Sequence, residues 1–157
     1  MLKIRVIVVD RTRSSFLNEG ESSYLKRLQR YVQVEWIEVK PARITKGRPE
    51  EEILLSEGQA IARRLEPRDY TVALDRLGHQ VDSEGLAGWL EGLSTTTTGW
   101  VSFLIGGPLG LPKQLLERAN RILSLSRLTL THEMSRLILL EQLYRAFTIM
   151  KGEKYHK

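Results

Sequence analysis

Short β-branched apolar runs alternate with helix-patterned segments along the whole chain, and this alternation narrows the choice of fold more than any other feature. Leu2–Val9 is a run of Leu, Ile and Val interrupted only by Lys3 and Arg5, and it ends in Asp10. It reads as a buried strand. Ser14 or Ser15 can cap a helix to about Tyr31, with Leu25, Leu28 and Val32 on its apolar side. Val32–Val39 alternates apolar with polar, as expected of a strand near a sheet edge. A basic loop, Lys40–Arg48, precedes Pro49 and the acidic triplet Glu50–Glu52. Proline at the first helical position and carboxylates at the positive end of the helix dipole start a helix here, and Pro67 ends it.

The second half continues the pattern. Tyr70–Leu74 reads as a strand ending in Asp75, and Ser83 can cap a helix to about Leu93. Thr95–Thr98 reads as a solvated connector. A strand over Trp100–Ile105 leads into Gly106-Gly107-Pro108-Leu109-Gly110, and a helix runs from Pro112 to about Asn120. Leu128–Leu130 is expected to be a short fifth strand, followed by a final helix over Glu133–Met150 that is apolar nearly all round. Such a helix is buried by the sheet or by another subunit. Strands alternating with helices imply an α/β fold with a mostly parallel sheet. With 157 residues and neither linker nor repeat, one domain over 1–157 is expected.

Composition excludes several chemistries. The absence of cysteine removes disulfides, thiolate metal sites and cysteine nucleophiles. His79, His132 and His156 have no carboxylate at ligand spacing, so no metal site is expected. Ser102 lies inside a strand without the glycine neighbours of a nucleophile elbow. The start of the chain lacks a signal-peptide apolar core, and no stretch is long and apolar enough to span a membrane, so a cytoplasmic protein is expected. A net charge of +5 permits a nucleic-acid partner without requiring one.

In an open α/β sheet, ligands bind outside the carboxyl ends of the strands. The loops after Leu74, Ile105 and Leu130 are therefore the candidates. Gly106, Gly107 and Gly110 match neither the dinucleotide fingerprint nor a P-loop. By themselves they serve equally as a tight strand-to-helix turn or a cofactor loop.

Five segments carry a resemblance. They are Thr71–Asp75 (TVALD), Leu104–Gly110 (LIGGPLG), Leu123–His132 (LSLSRLTLTH), Glu141–Ala146 (EQLYRA) and Tyr155–Lys157 (YHK). In this order and spacing, across almost the whole chain, they resemble the large-subunit ribosomal RNA pseudouridine N3-methyltransferases. These belong to the SPOUT superfamily of knotted S-adenosylmethionine-dependent enzymes. The resemblance implies a carboxyl-terminal deep trefoil knot and a homodimer with the last helix in its interface. It also implies methylation of N3 of a pseudouridine in 23S ribosomal RNA, within the assembled 70S ribosome.

By the same resemblance, Leu74, Gly106 and Leu125–Leu130 (Leu125, Ser126, Arg127, Leu128, Thr129, Leu130) contact S-adenosylmethionine. Arg145, Tyr155 and His156 lie near the reaction, bordered by His132. Arg145 is expected to hold phosphate or base, His156 to accept the proton and Tyr155 to stack or hydrogen-bond. Leu109, Thr131 and Lys154 depart from the family, which carries an acidic residue at the first position and proline at the other two. Three other readings stay open on the sequence: a knotted methyltransferase for another RNA position, a ribosome-binding protein without catalysis, and a nucleotide-binding regulatory domain.

Overall fold

Five parallel strands form one sheet in the order β2-β1-β4-β3-β5. A computed structural model describes residues 2–157. The strands are β1 (Lys3–Val9), β2 (Gln33–Val39), β3 (Tyr70–His79), β4 (Val101–Ile105) and β5 (Arg121–Leu123). The helices are α1 (Ser15–Leu28), α2 (Glu50–Ala62), α3 (Ser83–Thr96), α4 (Lys113–Arg118) and α5 (His132–Met150).

Period-two alternation builds two cores, one on each face of the sheet. Ile4, Val6 and Val8 of β1 join Phe103, Leu90, Leu139, Leu140 and Leu143 beneath α1, α3 and α5. Ile7 and Val9 face the other way, with Ile37, Ile61, Leu104 and Leu115 beneath α2 and α4. Being covered on both faces is why β1 and β4 are mostly apolar and have no exposed position. β2 is the edge strand that its alternation implied.

Arg5 is the buried charged residue of β1, only 4% exposed. Its guanidinium donates to Asp69 Oδ2 at 2.8 Å and lies over the Trp100 ring at 4.6 Å. Asp69 also accepts from Ser102 Oγ at 3.1 Å and from the Glu66 amide at 3.0 Å. This buried pair therefore ties β1 and β4 to the start of β3.

The register aligns all five carboxyl ends: Val9 with Val39, Val8 with Ile105, Ala73 with Leu104, and Leu74 with Leu123. From β5 at one edge, the chain then crosses to α5, which packs between α1 and α3.

Several boundaries differ from the sequence reading. The fifth strand is Arg121–Leu123, not Leu128–Leu130. Asn120 starts it: its amide donates to Thr71 O at 2.9 Å and its side chain accepts from Thr71 N at 2.8 Å. Leu128 instead stands 73% exposed, with its amide taken by Ser126 Oγ at 3.0 Å. The same Asn120 contact stops α4 at Arg118.

α3 is capped by Asp82, which accepts from Gly85 N at 2.7 Å, and Ser83 donates instead to Gln142. α3 also continues through Thr95 and Thr96, so part of the expected connector is helix. α1 ends at Leu28 and α2 at Ala62, before Tyr31 and Pro67. β3 runs five residues past Leu74, through a register shift, to His79.

Candidate functional site

The aligned carboxyl ends open into a cleft of about 600 Å³, within the roughly 300–1,000 Å³ of small-molecule sites. Three segments line it: Leu74–Arg76, Ile105–Gly110, and a third that contributes Leu123, Leu125, Ser126, Leu128–His132 and Ser135. The first two lie where the sequence placed its loops, past Leu74 and Ile105, although residues 74–76 are still strand; the third follows β5 at Leu123 and not Leu130. Leu74, Leu125, Leu128 and Leu130 supply apolar wall, and Asp75 is the one carboxylate among the lining residues.

The glycines are required by geometry. A Cβ on Gly106 would collide with the carbonyl of Gly110, because the loop closes on itself in a Gly107–Gly110 bridge. Gly110 sits at φ +82°, in the left-handed region that glycine occupies without strain. The β5 wall is pinned in turn: Ser124 N donates to His79 O and Ser124 Oγ to Arg76 O, both at 2.8 Å.

Of the residues expected at the cofactor, Leu74, Gly106, Leu125, Ser126, Leu128, Thr129 and Leu130 line the cleft. Arg127 does not; it lines a neighbouring groove with His79, Asn120 and Arg121. His132 borders the cleft as the first residue of α5. Burial lowers its pKa, reinforced by Arg136, and so favours the neutral imidazole. Thr131 caps α5, its Oγ1 accepting from Met134 N at 3.2 Å.

Arg145, Tyr155 and His156 form a second cluster. Arg145 forks onto Glu141 Oε1, with Nη2 at 2.6 Å and Nε at 3.0 Å, and this hydrogen bonding raises its pKa. Its Nη1 lies 3.2 Å from His156 Nδ1, and its guanidinium stacks 4.7 Å over the Tyr155 ring. Tyr155 Oη donates to Glu141 at 3.2 Å and meets Tyr24 Oη at 3.4 Å. Burial, then the Tyr24 contact, pushes its pKa well up, so the phenol stays protonated. Glu153 anchors the tail, accepting from Tyr31 Oη at 2.6 Å.

Within one chain the two clusters are not brought together. His132 and Arg145 are thirteen residues apart on the same helix, about 20 Å along its axis.

Sequence reading missed Glu141, Tyr24, Glu84 and Arg136. Glu141 stood four residues before Arg145, the helical ion-pair spacing that could have revealed it. Tyr24 and Glu84 carry no local signal. Arg136 is 0% exposed and donates to Val9 O at 2.6 Å and Thr12 Oγ1 at 2.9 Å, while Thr12 donates to buried Glu21 at 2.6 Å. It locks the start of α5 to the end of β1. Among the described residues no group of three or more His, Asp or Glu could hold a metal ion, and no helix is long and apolar enough to cross a membrane.

The family model described as "Predicted SPOUT methyltransferase" matches residues 2–156. The chain is 45% identical to the ribosomal RNA large subunit methyltransferase H of Moorella thermoacetica, over all of both chains. It is 45% identical to the protein of that name from Desulfotalea psychrophila, over 99% of this chain and all of the relative. Among solved structures, a "probable methyltransferase" from Bordetella pertussis Tohama I superimposes with TM-score 0.56 at 21% identity, covering 93% of this chain and 96% of that one. That likeness supports the fold. With a family match over nearly its full length and relatives of equal length, the chain belongs to the SPOUT methyltransferase family.

Proposed function

We propose that this chain is an S-adenosylmethionine-dependent methyltransferase that methylates N3 of a pseudouridine in 23S ribosomal RNA of the assembled 70S ribosome. The observation that carries this reading is the self-closed glycine loop opening into an apolar-walled cleft, in a chain 45% identical, end to end, to a ribosomal RNA large subunit methyltransferase. The cleft's chemistry fits the cofactor: a flat adenine suits Leu74, Leu125 and Leu130, and backbone groups at Gly106 and around Ser126–Thr129 suit its polar edges. When bound, S-adenosylmethionine supplies a methyl group already activated on a sulfonium. The protein's task is then alignment and removal of the N3 proton. His156 accepts that proton, Arg145 holds phosphate or base, and Tyr155 orients the pair.

The separation of some 20 Å along α5 supports a homodimer, in which a second copy brings its Arg145, Tyr155 and His156 to the cleft of the first. Exposed apolar side chains where α1 and α5 begin, Phe16 at 70% and Met134 at 38%, suit burial by that copy. The trefoil knot of the family is supported by the path from β5 to α5, with Ser124 held inside the β3 extension. The cytoplasm, where ribosomes assemble, is the place of the reaction.

The test is methyl transfer from labelled S-adenosylmethionine to unmodified assembled ribosomes, with free large subunits as control and the product mapped by nuclease digestion and mass spectrometry. N3-methylpseudouridine formed only on assembled ribosomes is expected. Cofactor binding without transfer would sink the substrate assignment.

A further inference from the structure

The cleft uses only half of the sheet's carboxyl edge. It is built by the loops after β3, β4 and β5, whereas those after β1 and β2, residues 10–14 and 40–49, occupy the other half. The positive charge of the chain is concentrated there. These two loops hold Arg11, Arg13, Lys40, Arg43, Lys46 and Arg48 against one carboxylate, Asp10, an excess equal to the +5 of the entire chain.

Arg13 pairs with Asp10 at 2.8 Å and Arg48 with Glu52 at 3.5 Å. Arg11, Lys40, Arg43 and Lys46 are exposed and have no ion-pair partner among the described residues. Ile44 stands 68% exposed among them. Clustered like charges repel and add nothing to folding, so their use lies in a polyanion.

Both loops are held against the cleft. Asp10 sits at φ +70° and accepts from Arg11 N at 2.9 Å and from Arg13 Nη2 at 2.8 Å. The amides of Arg13 and Ser14 both donate to Glu133 Oε1, at 3.1 and 3.0 Å, next to His132. On the other loop, Ala42 N donates to Glu57 Oε2 at 3.2 Å. Glu57 is only 4% exposed, and its other oxygen has no hydrogen bond; it faces Gly107, where a Cβ would lie 3.3 Å away. One buried carboxylate thus lies between the basic loop, which it holds by Ala42, and the glycine loop, which it abuts at Gly107.

We propose that residues 10–14 and 40–48 form the surface that grips the phosphate backbone of the RNA substrate beside the cleft, with Glu57 and Glu133 as positioning residues. This rests on the reading of the chain as a ribosomal RNA methyltransferase. Phosphate oxygens meet the four unpaired cations, and Ile44 packs on sugar or base.

The test measures binding of assembled ribosomes across a salt series. It compares the wild-type chain, the triple variant Lys40→Ala, Arg43→Ala and Lys46→Ala, and a control, Lys113→Ala with Arg118→Ala on exposed α4. Calorimetry with S-adenosylmethionine checks each fold. The triple variant is expected to lose about tenfold or more in ribosome affinity, and its log–log salt slope to become shallower by about two to three, with cofactor affinity and the control unchanged. Lys46→Glu alone shifts both in the same direction by a smaller amount. An unchanged slope and affinity in the triple variant, with a wild type that binds ribosomes, overturns this surface and leaves the enzymatic reading standing. A wild type that binds no ribosome overturns both.

Discussion

Arg145 and His156 meet side chain to side chain, Nη1 3.2 Å from Nδ1. A guanidinium only donates, so Nδ1 is the acceptor and the ring proton of the neutral imidazole lies on Nε2, 3.4 Å from Glu84 Oε1. The Nδ1 lone pair is therefore covered by Arg145 in this structure. His156→Ala should lower kcat by about 10²–10⁴ with cofactor affinity unchanged. Arg145→Lys, which cannot fork onto Glu141 and reach His156 together, should also lower kcat. Single-turnover methylation with calorimetry checks both, and a His156→Ala enzyme of unchanged rate removes the proton-acceptor assignment.

The separation of the two clusters makes a complementation prediction. Gly106→Ala disables the cleft and His156→Ala the tail. If one protomer's tail serves its partner's cleft, mixed dimers should show activity well above that of either variant alone. No recovery after confirmed subunit exchange would place both clusters in the service of one chain.

Gly106→Ala by itself forces its methyl into the Gly110 carbonyl. The loop must open, so cofactor affinity should fall at least about tenfold, equivalent to about 1.4 kcal/mol. Calorimetry against the wild type, with circular dichroism to show a retained fold, decides it.

The buried ion pair at the foot of the sheet sets a stability prediction. Arg5 and Asp69 side chains are 5% and 2% exposed. Asp69→Ala leaves an uncompensated buried guanidinium and should cost about 3–5 kcal/mol, a fall in Tm on the order of 10 °C for a chain of this size. Thermal unfolding measures it. A change of a degree or two would mean that Glu66 and Glu35, also within reach of Arg5, take over the charge.

Glu57 makes stability depend on pH. Burial raises its folded pKa above 4.5, and nearby Asp10 adds to this against the opposing Ala42 hydrogen bond. A raised folded pKa means that its contribution is fully present below the unfolded value and is lost as pH rises through the folded one. Glu57→Gln keeps the acceptor for Ala42 and does not ionise. It should gain on the wild type as pH climbs upward from 4.5. Melting curves that stay parallel across that range would show the carboxylate to be compensated.

Much of the fold is legible in local pattern. Leu2–Val9 and Trp100–Ile105 announce buried parallel strands because both faces are covered, and Glu50–Glu52 after Pro49 announce a helix start because of the dipole. The turn after β4 is legible because only glycine allows the Gly106–Gly110 approach. Leu128–Leu130 misleads because a three-residue Leu-Thr-Leu segment is too short to establish a period. Which run joins the sheet depended on Asn120 meeting Thr71, a partner forty-nine residues away.

The sequence by itself determined the α/β class, the cleft segments past Leu74 and Ile105, the glycine turn and the family resemblance, since each is written in neighbouring residues. Tertiary structure alone decided that Arg136 is buried against Val9 and Thr12 and that Glu57 is buried between a basic loop and the glycine loop. It also decided that Arg145 covers His156 far from the cleft of its own chain. These relationships join residues distant along the chain. They arise only once packing sets which charges lose water and which groups remain to pair with them.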